Sequence, residues 1–115
     1  MTNHAELSRD LALVIGYAPN EMLLQHGEWW VFRQPDPVFG PTGWKQFDYR
    51  DPTVVMPLLL WLNTHYGVRE FQDRRYAIDY FIQGYRRWPI YDGYFSARAA
   101  TLEEAIARAV IEVSK

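Results

Sequence analysis

The sequence predicts an α+β fold: an antiparallel sheet of about four to six strands with helices on one face. Three observations carry this. The short apolar runs come in pairs around turn signals, as hairpins do. Only three segments have helical periodicity, and they stand at the two ends and the centre, breaking the series of strands. The resulting order is α-β-β-α-β-β-(β-β)-α, which lacks the strict alternation a parallel sheet requires.

The first helix is read over 3–15. Leu7, Leu11, Val14 and Ile15 fall at i, i+4, i+7 and i+8 and make one apolar stripe, with Glu6, Arg9 and Asp10 off it. Gly16 suits the C′ position and Pro19 blocks continuation. Runs at 22–25 and 28–33 flank His26-Gly27, a two-residue hairpin signal. In the second run Trp29 and Val31 alternate with Trp30 and Phe32, so both faces of that strand are apolar.

The stretch 34–43 holds three prolines and two glycines and reads as a loop. Asp51-Pro52 then opens a helix that runs to about Tyr66, with Asp51 as N-cap and Pro52 at the first helical position. Pro57 lies one turn in and predicts a kink or a late start. Val54, Val55, Leu58, Leu59 and Leu62 supply its buried side, and it is expected to be the most buried helix. Strands follow at 68–73 and 76–82, and shorter runs at 85–88 and 94–98 around Asp92-Gly93. The last helix starts at the capping box Thr101-Leu102-Glu103-Glu104, in which Thr101 caps and Glu104 reaches back. Leu102, Ile106, Ala109, Val110 and Val113 form its inward stripe, and Glu104 and Arg108 an outward i,i+4 pair.

At 115 residues the chain is expected to be one domain, 1–115, long enough for a core without staples. It has no cysteine, which excludes disulfides, thiol nucleophiles and thiolate metal sites. Twelve basic and fourteen acidic residues are too balanced for a polybasic nucleic-acid binder or a polyacidic mimic of one. The N-terminus lacks the basic and apolar regions of a secretory signal, and the apolar run 54–62 is too short for a bilayer, so a soluble cytoplasmic protein is expected.

No chemistry-bearing constellation emerges. His4, His26 and His65 have no ligand spacing, so no metal and no cofactor is expected. Ser8, Ser96 and Ser114 sit in no nucleophile elbow, and the glycines form no phosphate loop, so no catalytic residue is assigned and the chain is read as non-enzymatic. Composition points elsewhere. Aromatics reach 17%, and Arg outnumbers Lys ten to two. Tyr, Trp and Arg are the side chains enriched at binding hot spots.

They concentrate between Tyr85 and Arg98, where Arg86, Arg87, Trp88, Tyr91 and Tyr94 form the leading candidate for a partner-binding surface. Trp29 and Trp44 are candidate anchors outside it, Trp44 beside the proline-rich loop. The competing account of 85–98 is an edge of the sheet, whose aromatics pack while its arginines keep the edge from aggregating. From Arg69 to Arg98 six Arg meet four acids, an excess of only +2, which makes nucleic acid the lesser alternative to a protein partner. A small-molecule or enzymatic site beside Asp48, Tyr49 and Arg50 is the other alternative. The two apolar faces of 29–32 also predict a surface that a homodimer would cover.

The segment Phe47-Asp48-Tyr49-Arg50-Asp51-Pro52-Thr53-Val54, with Pro57, resembles a motif of small phage and prophage proteins of the NinX-like type. Their terminal helices are similar to 11–16 and 105–110 of this chain. The matched pieces leave 34–43 and the aromatic middle without a counterpart. The resemblance implies a phage or prophage origin and no particular activity. By analogy of class, it implies an accessory protein that binds a host protein or complex in the bacterial cytoplasm, such as an inhibitor of a host defence system of the anti-CRISPR kind.

Overall fold

The computed structural model describes residues 3–32, 43–66, 68–73, 79–85 and 94–114. Its elements run α1 (His4–Val14), a 3₁₀ turn (Pro19–Glu21), β1 (Met22–Gln25), β2 (Glu28–Phe32), β3 (Trp44–Phe47), α2 (Pro52–Tyr66), β4 (Arg69–Asp73), β5 (Asp79–Tyr85), β6 (Tyr94–Ala99) and α3 (Leu102–Val113). The class is α+β, with every strand pair antiparallel. The single expected sheet is instead two sheets of three strands, ordered β1-β2-β3 and β4-β5-β6. Hairpin signals report which neighbours pair. They are silent on whether strands on either side of a fifteen-residue helix rejoin one sheet. The chain divides into two compact units, Met1–Asp48 and Tyr49–Lys115, each holding one sheet.

In the first unit α1 begins where Asn3 accepts the Glu6 amide at 3.1 Å. It ends in a Schellman arrangement. Gly16 takes φ +113, its N–H donates to the Leu13 carbonyl, and the Tyr17 N–H donates to the Ala12 carbonyl at 3.1 Å. Its buried residues are Leu7, Ser8, Leu11 and Ala12. Val14, expected on that stripe, is exposed in the last turn. The helix packs on β2. The β1–β2 turn is a two-residue loop closed by the Gln25–Glu28 pair. His26 and Gly27 both have positive φ, 53° and 75°, as a type I′ turn requires. Strand β3 was not anticipated: Trp44-Lys45-Gln46-Phe47 is too short to show an alternation of its own, and only its partner β2 defines it.

In the second unit Asp51 caps α2, accepting the Thr53 amide at 3.0 Å and the Thr53 hydroxyl at 2.9 Å. Pro57 sits inside the helix. At Thr101, which caps α3, the side chain accepts the Glu104 amide at 3.2 Å. The Glu104 carboxylate does not close the expected box. It accepts instead from Arg108 Nε at 3.3 Å and from the Tyr49 hydroxyl at 3.5 Å.

Helix α3, not α2, is the most buried of the three. Ala105, Ile106, Ala107, Ala109 and Val110 are all buried, against only Val55 and Leu62 in α2. The reason is volume. Helix α3 lies on β5 and β6 through alanines on both sides, Ala97 and Ala99 meeting a helix rich in Ala, which lets backbone and sheet approach. Helix α2 packs against α3, and Met56, Leu60 and Trp61 on its other side are exposed.

The 85–88 run was expected as a strand separate from 76–82. Through Tyr85, β5 is instead one continuous strand across Gly84. Gly84 is there because of space. A Cβ at this position would lie 2.8 Å from Val68 Cγ1 and 3.1 Å from two atoms of the Phe95 ring, its partner in register. On the opposite face Arg98, paired with Phe81, sets its guanidinium 5.9 Å from that ring's centroid. Among the described residues no helix is long and apolar enough to cross a membrane.

Candidate functional site

The register of the first sheet decides which aromatics face which way. Cross-strand partners point to the same side, and the side alternates along each strand. Trp29, Val31 and Phe47 therefore share one face, and Val31 and Phe47 are buried. Tyr17, just past α1, packs edge-on against Phe47 with ring centroids 5.8 Å apart, so this is the inner face.

The opposite face carries Leu23, Trp30, Phe32, Trp44 and Gln46, with Gln25 and Glu28 toward the turn. Leu23 is 45% exposed and Trp44 48%, while Trp30 and Phe32 are half-buried. Phe32 and Trp44 are direct partners, their centroids 5.5 Å apart and tilted 50°. Trp30 lies between Leu23 and Gln46 in the next pairing row. Four large apolar side chains thus adjoin on one outward surface, which is the kind of patch that marks an association site. Its one formal charge among the described strand residues is the Glu28 carboxylate.

Of the anchors expected from sequence, Trp44 is on this outer face and Trp29 on the inner one, so the sheet does not bring them together. Tyr94 pairs through its backbone with Tyr85 at the end of β6. Arg86, Arg87, Trp88 and Tyr91 lie outside the described residues. Leu23, Trp30 and Phe32 were not singled out. The signal was present in the two apolar faces of 29–32, but only the position of α1 decides which face turns outward.

At the alternative location Asp48 closes the first unit and Tyr49 opens the second. The Tyr49 ring is buried and its hydroxyl donates to Glu104, so it serves packing within the second unit. Arg50 is exposed. Among the described residues no group of three or more His, Asp or Glu gathers in a way that could hold a metal ion.

No protein-family profile matches this chain, and neither the curated proteins nor the solved structures contain one similar to it.

Proposed function

We propose that this chain is a non-enzymatic binding protein that docks on another protein through the outer face of the β1–β3 sheet. The observation that carries this reading is the adjoining Leu23, Trp30, Phe32 and Trp44, outward-facing and set on paired strands. Rigid aromatics on a strand scaffold lose little entropy on binding and are the usual hot-spot anchors. The near absence of charge among the described residues of that face favours a protein over a nucleic acid, whose affinity comes from basic side chains on phosphates. The likeness of 47–54 to NinX-like proteins supports a phage or prophage setting. There the partner is a host protein or complex in the bacterial cytoplasm, and inhibition of a defence system is a role that such a binder fills.

The test is affinity capture from bacterial lysate by the tagged protein and by its Trp44→Ala variant, each with and without nuclease. The reading expects a host protein enriched by the native chain in both nuclease arms and lost with Trp44→Ala. Equal enrichment by a folded Trp44→Ala variant overturns the surface. Enrichment that nuclease abolishes moves the function to nucleic acid.

A further inference from the structure

We draw no further inference here: the strongest candidate, the surface patch on the β4–β6 sheet opposite α3, where the Arg98 guanidinium lies over the Phe81 ring beside exposed Ser96, carries nothing because nothing in the structure shows what covers it.

Discussion

Phe32 and Trp44 stand opposite each other in the β2–β3 ladder, ring centroids 5.5 Å apart, although eleven residues separate them in the chain. Strands β2 and β3 thus meet at this end in a single aromatic pair. That pair lies on the outer face, beside Trp30 and Leu23, where an anchor can be reached by a partner.

Trp44→Ala separates binding from folding. With Trp44 about half exposed, its loss removes mainly the contact with Phe32, so the expected cost is about 0.5–1.5 kcal/mol of stability. An anchor in a binding surface costs more, about 2 kcal/mol or roughly 30-fold in affinity. Trp29→Phe, on the inner face, should leave affinity unchanged. Urea unfolding and titration of the captured partner read the two quantities separately. Equal affinity losses for both variants would count against a one-sided surface.

Tyr49 is expected to matter for its ring far more than for its hydroxyl. The side chain is 1% exposed, so Tyr49→Ala should cost about 3–5 kcal/mol, as deletion of a buried aromatic does. The hydroxyl meets Glu104 at the long distance of 3.5 Å, and Glu104 keeps its bond from Arg108 when the hydroxyl is gone. Loss of this bond in Tyr49→Phe should cost about 0.5–1.5 kcal/mol, less than loss of the ring. Comparison of the two unfolding midpoints at unchanged m-value checks the ranking. A Tyr49→Phe loss as large as that of Tyr49→Ala would show that the hydroxyl anchors this part of the second unit.

The helix ends were legible because caps are local. Asp51 and Thr101 each accept the amide the sequence offers them, and Gly16 takes the left-handed turn after α1. The β1–β2 hairpin was legible for the same reason. What escaped was non-local. Trp44–Phe47 becomes a strand only by pairing with β2, and nothing within four residues announces that. Helix α2 looked buried all round because it has no charges, yet α3 covers only one of its sides. Of the candidate site, Trp44 was named from its place beside the loop, whereas Leu23, Trp30 and Phe32 needed the register and α1 to show which way they face.

The His26-Gly27 turn gives a sharper backbone test. His26 holds φ +53 without being glycine, a conformation that histidine tolerates and a β-branched residue resists. His26→Val should lower stability by about 1–2 kcal/mol, since its side chain is exposed and only the backbone term changes. His26→Asn supplies the Asn-Gly pair that type I′ turns favour and should match or exceed the native chain. Thermal unfolding of the three proteins should rank Asn at or above His, and His above Val. If valine were harmless, the turn would be of another type.

Gly84 lies inside β5, which runs on to Tyr85. In the structure it marks a close approach: the position of its missing Cβ is 2.8 Å from Val68 Cγ1, at the face where Phe95 covers the strand. Gly84→Ala gains β-propensity but forces a stiff, β-branched neighbour to move. Overpacking of this kind costs about 1–3 kcal/mol, which exceeds the propensity gain of up to about 1 kcal/mol. A net loss of stability is expected. Val68→Ala alone should also destabilise, by opening space where Val68 is buried. The double variant should lose less than the sum, because the methyl added at 84 occupies the volume vacated at 68. A double-mutant cycle in urea reads this as a favourable coupling of about 0.5–3 kcal/mol. Strict additivity would mean that Val68 does not limit the site, leaving the Phe95 ring, 3.1 Å away, as the group that excludes a side chain at position 84.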